Sequence, residues 1–357
     1  MTIDEKYMRR AIQLAMNGRG AVMSNPMVGA VIVHNDRVIG EGYHRKYGGP
    51  HAEVNAIRSV EDESLLPEST MYVTLEPCSH YGKTPPCAEL IVRKRIPRVV
   101  IGCLDPYPEV AGRGVRILQD AGVEVVTGIL AKETFGLNRS FMTAHLRKRP
   151  YVILKWAQSS DGFIDKIRKD SSTPAVVLSP PDSMRLVHKL RAEVNAIMVG
   201  TRTAILDNPS LTVRNWIGDS PVRVVIDKTL KIPLSYNLLN GLVPTLVFTE
   251  KEAENRTNVE YVTIDFKREI LAQVLAQLYK RKLLSLLVEG GTTLHNQFLK
   301  EGLWDEIRME TAAISLHKGV PAPDVRAVLP LDGGEIRGRY KYIYNPDSYL
   351  ESSSFSV

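Results

Sequence analysis

The sequence contains few cysteines and no long hydrophobic run, and each shortage excludes a class of protein. Only three cysteines occur among 357 residues, so a disulfide framework is not expected. No apolar stretch approaches the ~20 residues that a membrane-spanning helix needs. The first residues are charged, unlike a secretory signal. These absences predict a cytoplasmic protein without a membrane partner.

Positive charge is modest and dispersed along the chain. The net charge is +6, no block of five or more Lys/Arg residues occurs, and aromatic residues make up 7 % of the sequence. Nucleic-acid-binding proteins concentrate their cations and aromatic side chains, so we expect no nucleic-acid partner. The excess positive charge fits either an ordinary solvated surface or attraction of phosphorylated small molecules.

The chain length and one basic segment predict two domains. A capping box at Thr2 and Glu5 opens a helical pattern, and alternating strand and helix patterns follow, as in a sheet covered by helices. The segment 145–150 is basic and ends in proline, which is typical of a linker. We therefore expect domains at 1–148 and 149–357.

A second alternation of strand and helix patterns begins at Tyr151. Asp265 is expected to cap a long amphipathic helix that ends near Arg281. The charged and polar stretch 165–172 is expected to form a mobile loop. Both halves of the chain therefore belong to the α/β class.

One histidine and two cysteines have the character of a catalytic zinc site. His51, Cys78 and Cys87 supply three ligands and leave a fourth position open for water. Zinc lowers the pKa of such a water molecule towards ~7. Glu53 lies two residues from the histidine, where its carboxylate can move a proton without binding the metal.

The pattern His-x-Glu followed by Pro-Cys and a second cysteine is typical of zinc deaminases. Here the cysteines are nine positions apart instead of three, so residues 79–86 must loop out between them. The three ligands alone would equally fit structural zinc or unrelated core residues. Glu53 and the two Pro-Cys steps favour catalytic zinc and deamination of an amino-substituted ring.

Longer strings around these residues resemble a known family. Thr74 to Cys87 reads Thr-Leu-Glu-Pro-Cys-Ser-His-Tyr-Gly-Lys-Thr-Pro-Pro-Cys, and Ser24 to Ala30 reads Ser-Asn-Pro-Met-Val-Gly-Ala. Together with residues 51–53, 105–106 and 111–114, they resemble the deaminase half of the bifunctional riboflavin-biosynthesis deaminase–reductases. The resemblance implies a cytidine-deaminase-like α/β/α domain followed by an α/β domain similar to dihydrofolate reductase.

This resemblance also implies a substrate and its contacts in the first domain. The reaction would be hydrolytic deamination by zinc-bound hydroxide of 2,5-diamino-6-ribosylamino-4(3H)-pyrimidinone 5′-phosphate. The expected substrate-binding residues are Asn25, His44, His80 and Lys83. The alternatives that Asn25 only forms a turn and that Lys83 is only a solvated loop tip stay open.

The resemblance continues past Tyr151 through Leu154 to Gly162, Val199 to Thr203, Asp207 to Arg214 and Val288 to Gly291. It implies an NADPH-dependent reductase that converts the ribosyl group to ribityl. Lys155 and Asp161 are, by position alone, candidates for the proton donor in that reduction. The implied NADPH-binding residues are Ala157, Thr203, Asp207, Gly290, Gly291, Thr292, Thr293, Leu294, His295 and Asn296. The implied substrate-binding residues are Arg191, Leu211, Arg214 and Glu289.

Three departures from the family pattern keep an alternative open. Residues 173–179 lack the family's tryptophan, Lys228 replaces a small hydroxyl residue, and residues 313–319 replace a strand-loop rich in glycine. A monofunctional deaminase whose degenerate second domain serves oligomerisation is therefore the second hypothesis. A nucleic-acid base deaminase or a zinc-stabilised binding module is the third. The resemblance further suggests a homodimer that forms through the second domain.

Overall fold

Two separate sheets organise the chain. The computed structural model describes residues 1–22, 24–81, 85–106, 111–328 and 334–346. The residues up to Lys148 form one compact unit and those from Arg149 onward form a second, here called the N-terminal and C-terminal units. In the described part of the chain, no helix has both the length and the apolar character needed to cross a membrane.

The N-terminal unit has a five-stranded sheet in the order β2-β1-β3-β4-β5. Strand β1 is antiparallel to β2 and β3, whereas β3, β4 and β5 are parallel. The strands are β1 (Gly29–His34), β2 (Arg37–Tyr43), β3 (Thr70–Leu75), β4 (Arg98–Cys103) and β5 (Glu124–Thr127). The helices are α1 (Ile3–Met16), α2 (Ala52–Arg58), α3 (Cys87–Arg93), α4 (Arg113–Asp120), α5 (Ala131–Leu137) and α6 (Arg139–Arg147), with a 3-10 helix at Glu63–Glu68.

Local sequence accounts for the first elements of this unit. Both hydrogen bonds of the predicted capping box between Thr2 and Glu5 are present at the start of α1. Asn35 and Asp36 both have positive φ, as a tight turn of the primed type between β1 and β2 requires. Strand alternation then places one set of side chains against α1 and the other against α2, α3 and α4.

One glycine lets the helix that carries His51 approach the sheet. A Cβ atom at Gly42 in β2 would lie 2.3 Å from the backbone nitrogen of Ala56 in α2. A side chain at this position would push α2 off the sheet, so glycine sets the depth at which the start of α2 lies.

The C-terminal unit has a nine-stranded sheet in the order β11-β10-β9-β8-β12-β6-β13-β16-β15. Its strands are β6 (Tyr151–Gln158), β8 (Ala196–Gly200), β9 (Val222–Ile226), β10 (Thr245–Thr249), β11 (Val259–Thr263), β12 (Ser285–Gly290), β13 (Glu306–Thr311), β15 (Glu335–Arg337) and β16 (Tyr340–Tyr344). Strands β7 (Phe163–Asp165) and β14 (Val320–Pro321) pair separately. The helices are α7 (Pro181–Glu193), α8 (Thr201–Asp207), α9 (Ile270–Lys280) and α10 (Thr292–Lys300), with 3-10 helices at Asn237–Leu239 and Arg326–Val328.

The strands from β11 to β13 in this order are all parallel, and the sheet is buried on both faces. Helices α9 and α10 pack on one face, and α7 and α8 pack on the other. Parallel sheets covered on both faces bring the carboxyl ends of their strands to a common edge, where ligands bind. The alternation of strands and helices predicted for both halves of the chain is confirmed.

Two predictions for the C-terminal unit need correction. Asp265 does not cap α9, because the helix begins at Ile270 with Glu269 at the N-cap position. The side chain of Asp265 instead accepts a hydrogen bond from the backbone of Lys267, within the preceding turn. The charged and polar stretch 165–172 was expected to form a mobile loop, but its one arginine, Arg168, is buried and ion-paired.

Candidate functional site

The three predicted metal ligands meet where helices α2 and α3 begin. His51 occupies the N-cap position of α2, and Cys87 is the first residue of α3. The Nδ1 atom of His51 lies 3.5 Å from Cys78 Sγ and 3.4 Å from Cys87 Sγ. Among the described residues, these three side chains form a group whose ligand atoms all lie within 4.8 Å of one another. One nitrogen and two sulfurs at this spacing fit zinc.

The electrostatics of this group favour a bound cation. The thiol of Cys87, together with His51, lowers the pKa of Cys78 to about 4. The backbone N–H of Cys87 also donates a hydrogen bond to Cys78 Sγ, at 3.3 Å. The hydrogen bond with Cys78 raises the pKa of His51 to about 9, and the neighbouring sulfur raises the pKa of Cys87. Zinc binds thiolate and neutral imidazole, so these three side chains would release their protons when they hold the metal.

Glu53 lies beside the ligands without being one of them. It belongs to the first turn of α2, is 3 % exposed, and contacts the thiol of Cys87. Burial raises the pKa of its carboxyl group to about 7. A carboxyl group with such a pKa can both accept and release a proton near neutral pH.

Two of the predicted substrate-binding residues lie next to this centre. The Nδ2 atom of Asn25 donates to Nε2 of His44 at 3.2 Å, and Nδ1 of His44 contacts the carbonyl of Pro50 at 3.1 Å. Burial lowers the pKa of His44, and its ring meets that of His51 edge-on at 5.7 Å. A neutral His44 therefore links the Asn25 loop to the metal ligands.

The structure says less about the other two predicted substrate-binding residues. His80 is exposed, and Lys83 lies outside the described residues.

The loop that carries Asn25 is held in position by Asn138. The Asn138 side chain donates to the Met27 carbonyl and accepts from the Met27 N–H.

Glu76, which no sequence pattern marked as functional, holds the loop of Cys78 in place. This buried carboxylate accepts backbone hydrogen bonds from Asp105, Gly112, Gly114 and Val115 at 2.9 to 3.3 Å. A Cβ atom at Gly114 would lie 2.1 Å from the carbonyl oxygen of Pro77, so glycine permits the close contact. The Thr-Leu-Glu-Pro-Cys string contained this glutamate, but only the fold shows its partners.

The C-terminal unit contains a cavity of about 480 Å³ at the carboxyl ends of its central strands. Seven of the residues predicted from the resemblance line it: Ala157, Thr203, Asp207, Glu289, Gly290, Gly291 and His295. A Cβ atom at Gly291 would lie 3.1 Å from the hydroxyl oxygen of Thr203. Glycine at this position therefore permits the close approach of Thr203, and Gly290 and Gly291 both line the cavity where α10 begins.

The remaining predicted cofactor residues have other neighbours. The Thr292 hydroxyl donates to the carbonyl of Pro321, Asn296 accepts from the backbone of Asp324, and Leu294 is buried in the core. Thr293 is exposed on α10.

The predicted substrate arginine of α7 is already paired in the structure. Arg191 donates through Nε and Nη2 to the two carboxylate oxygens of Glu289, at 2.9 and 2.7 Å. Arg214 is exposed, and its backbone N–H donates to Nδ1 of the buried His188. Leu211 is buried in the core beneath α8. Arg191, Glu289 and Arg214 are thus neighbours, and Leu211 supports them from the core.

The two candidate proton donors, Asp161 and Lys155, have different surroundings. Asp161 accepts from the hydroxyls of Ser159 and Ser315 and from the backbone of Leu316 and His317. These hydrogen bonds, led by that of Ser159, lower its pKa well below the usual range. Asp161 therefore holds no proton to donate and instead ties two loops together.

Lys155, in contrast, is buried in the cavity wall on β6. Burial lowers the pKa of its ammonium group, and the carboxylates of Glu289 and Glu310 oppose that effect. A lysine with a lowered pKa releases a proton more readily than a solvated one.

Arg168 is a second residue that the sequence analysis missed. Its guanidinium pairs with Asp165 at 2.6 Å and with Asp207. It also donates to the carbonyls of Thr173 and Leu206, so it joins its own loop to the end of α8. The charged stretch around Arg168 suggested a solvated loop, because its remote partner Asp207 is brought to it only by the fold.

The fold and these two sites define a zinc-dependent deaminase joined to a nucleotide-dependent reductase. Residues 1–103 match the family described as the cytidine and deoxycytidylate deaminase zinc-binding region, and residues 150–319 match the RibD C-terminal domain. The chain belongs to the RibD family of riboflavin-biosynthesis proteins, and it is an enzyme with a deaminase domain and a reductase domain that acts on a small molecule.

Several relatives support this assignment over almost the whole chain. RibD of Aquifex aeolicus is 39 % identical over 90 % of this chain and 90 % of its own length. RibD of Bacillus amyloliquefaciens is 40 % identical over 90 % of this chain and 88 % of its own length. The Thermotoga maritima diaminohydroxyphosphoribosylaminopyrimidine deaminase/5-amino-6-(5-phosphoribosylamino)uracil reductase is 37 % identical, with a TM-score of 0.83 over 95 % of this chain and 97 % of that one. The predicted α/β fold class and the bifunctional hypothesis are thereby confirmed.

Proposed function

We propose that the N-terminal unit deaminates 2,5-diamino-6-ribosylamino-4(3H)-pyrimidinone 5′-phosphate and that the C-terminal unit reduces the ribosyl group of the product to ribityl. The observation that carries the proposal is the meeting of His51, Cys78 and Cys87 with a buried Glu53 beside them. The similarity to the Thermotoga enzyme supports this choice of substrate.

In the deamination, His51, Cys78 and Cys87 would hold zinc. Zinc supplies a Lewis acid that makes a water molecule nucleophilic at neutral pH. Glu53 takes a proton from the attacking water and passes it to the departing amine, which leaves as ammonia while the ring carbon becomes a carbonyl. Asn25 and His44 contact the ring or the ribose, with Asn25 offering both a donor and an acceptor. His80 and Lys83 remain proposed contacts of the phosphate.

Exchange of Glu53→Ala tests the deaminase assignment. The variant is expected to retain one zinc ion per chain and to lose ammonia release by about a thousandfold or more, because a general acid–base step is removed along with a preorganised charge. Zinc content is measured by mass spectrometry and ammonia by a coupled assay. The deaminated intermediate, supplied directly, serves as the control, since its reduction should proceed unchanged. Undiminished ammonia release would contradict the role given to Glu53.

In the reduction, the cofactor NADPH would lie in the cavity of the C-terminal unit, against Ala157, Thr203, Asp207 and the segment 290–296. The glycines before α10 line this cavity, and the N-terminus of that helix suits the pyrophosphate of a dinucleotide. NADPH supplies a hydride to C1 of the sugar. The bond from C1 to the ring oxygen breaks, and that oxygen takes a proton, for which Lys155 on the cavity wall is the proposed donor.

The substrate end of this cavity would use Arg191, Arg214, Leu211 and Glu289. A guanidinium can bind two oxygens of a phosphate, but Arg191 now binds Glu289. We propose that the substrate phosphate shares Arg191 with Glu289 and recruits the exposed Arg214. Incubation of the zinc-loaded enzyme with substrate should raise the product mass by about one unit, and addition of NADPH should raise it by about two more. Absence of the second change would contradict the reductase assignment.

We further propose that the chain works in the cytoplasm as a homodimer formed through the C-terminal unit. A reducing compartment suits Cys78 and Cys87, which must remain thiolates to bind metal. The dimer rests on the family resemblance. Sedimentation equilibrium of the intact chain measures it directly, and a monomer at micromolar concentration would contradict it.

A further inference from the structure

The cavity of the C-terminal unit is lined by three cationic side chains in very different states. Arg168 is neutralised by Asp165 and Asp207. Lys155 is buried near the carboxylates of Glu289 and Glu310. Arg202, in contrast, lines the cavity while remaining exposed, and no carboxylate of the described residues forms an ion pair with it. Its charge is therefore available to a ligand.

The position of Arg202 is fixed although its side chain is exposed. It belongs to the first turn of α8, whose Thr201 hydroxyl donates to the carbonyl of Ile226 at the end of β9. Its Nη2 donates to the carbonyl of Arg168, at 3.3 Å. The next residue, Thr203, approaches Gly291 closely, since a Cβ atom there would lie 3.1 Å from the Thr203 hydroxyl oxygen. Arg202 thus lines the same cavity as the two glycines that precede α10.

A dinucleotide in this cavity has two anionic groups to place. The start of α10 offers backbone N–H groups to the pyrophosphate. The 2′-phosphate, which distinguishes NADPH from NADH, needs a cation further along the dinucleotide. Among the cavity cations of the described residues, Arg202 is the one that is both exposed and free of a carboxylate partner.

We propose that Arg202 binds the 2′-phosphate of NADPH and sets the preference of this enzyme for NADPH over NADH. This inference rests on the proposed function, in which the cavity holds a nicotinamide dinucleotide. An arginine grips a phosphate through two parallel N–H donors, so lysine at position 202 should replace it only in part.

Exchange of Arg202→Ala tests the proposal through binding alone. Titration calorimetry on the full chain should show NADP⁺ binding weakened by about tenfold or more, which corresponds to about 1.4 kcal/mol. The affinity for NAD⁺, which has no 2′-phosphate, should change by less than about twofold. Adenosine 2′,5′-bisphosphate should lose affinity likewise, and adenosine 5′-monophosphate should not. Arg202→Lys should fall between wild type and Arg202→Ala. Arg268→Ala removes an exposed arginine elsewhere in the same unit and should change neither affinity.

The possible outcomes separate this inference from the proposed function. Equal weakening of NADP⁺ and NAD⁺ would assign Arg202 to the pyrophosphate and overturn the inference. Unchanged affinities for both NADP⁺ and NAD⁺ would overturn the inference as well. Failure of the wild-type chain to bind either dinucleotide would instead refute the reductase function on which the inference rests.

Discussion

The two units of this chain build their sites in opposite ways. In the N-terminal unit, four functional side chains come from two short strings of sequence, and the ligand atoms meet within 4.8 Å of one another. In the C-terminal unit, the cavity is lined by residues spread from Lys155 to His295. Chemistry that resides in adjacent residues can be recognised in a sequence, whereas a cavity wall is assembled only by the fold.

The units also differ in what their buried charges do. In the N-terminal unit, the Glu76 carboxylate is satisfied entirely by backbone N–H groups, so it supports the site without a counter-ion. In the C-terminal unit, the predicted ligand-binding residues Arg191, Glu289 and Asp207 are held in ion pairs, Arg191 with Glu289 and Asp207 with Arg168. A ligand that enters this cavity must compete with those pairs, so stability and binding are linked there.

The largest expected effect concerns the buried pair of Arg191 and Glu289. Arg191→Ala leaves a carboxylate uncompensated in a site that is about one-tenth exposed, which is expected to destabilise the C-terminal unit by about 3 to 5 kcal/mol. Hydrogen exchange read by mass spectrometry should show this loss in β8 and β12 and none in β3 and β4. A loss below about 1 kcal/mol would mean that Lys155 takes over as counter-ion, and the contrast between the units would weaken.

The next effect concerns the carboxylate of Glu76. Glu76→Gln keeps the volume but presents an amide N–H to donors, and it is expected to destabilise the N-terminal unit by about 2 to 3 kcal/mol. Exchange should rise in β3 and β4, and zinc should be removed by a chelator at lower concentration than in the wild type. Glu63→Gln, which removes an exposed ion pair with Lys94, is the matched control. Equal behaviour of the two variants would show that Glu76 is not a positioning residue for the Cys78 loop.

The same contrast explains what could be predicted from the sequence. The alternation of strands and helices and the capping box at Thr2 follow from local patterns, and the predicted ligands His51, Cys78 and Cys87 lie together as expected. The backbone partners of Glu76, and Leu206 and Asp207 among the partners of Arg168, could not be predicted, because these hydrogen bonds join residues 29 to 39 positions apart. Buried side chains with remote backbone partners leave no periodic pattern in a sequence.

The smallest expected effects concern the two predicted helix caps, of which that at Thr2 is confirmed and that at Asp265 is wrong. Thr2 receives the Glu5 N–H at 3.2 Å and donates its own N–H to the Glu5 carboxylate at 2.9 Å, so Thr2→Ala should loosen α1 by about 1 kcal/mol. Asp265 is exposed and holds only the turn before α9, so Asp265→Ala should stay within about 0.5 kcal/mol. Amide exchange in α1 and α9 measures both.

Helix α9 begins five residues after the aspartate that the sequence pattern indicated as its cap. Glu269 stands at the N-cap of α9 without a side-chain hydrogen bond, whereas Gln273 reaches back to the carbonyls of Asp265 and Glu269. The start of α9 is thus stabilised from inside the helix and by the burial of its apolar face, not by the preceding aspartate. A loss of about 1 kcal/mol in α9 on Asp265→Ala would contradict this account and restore the cap to the residue that the sequence pattern indicated.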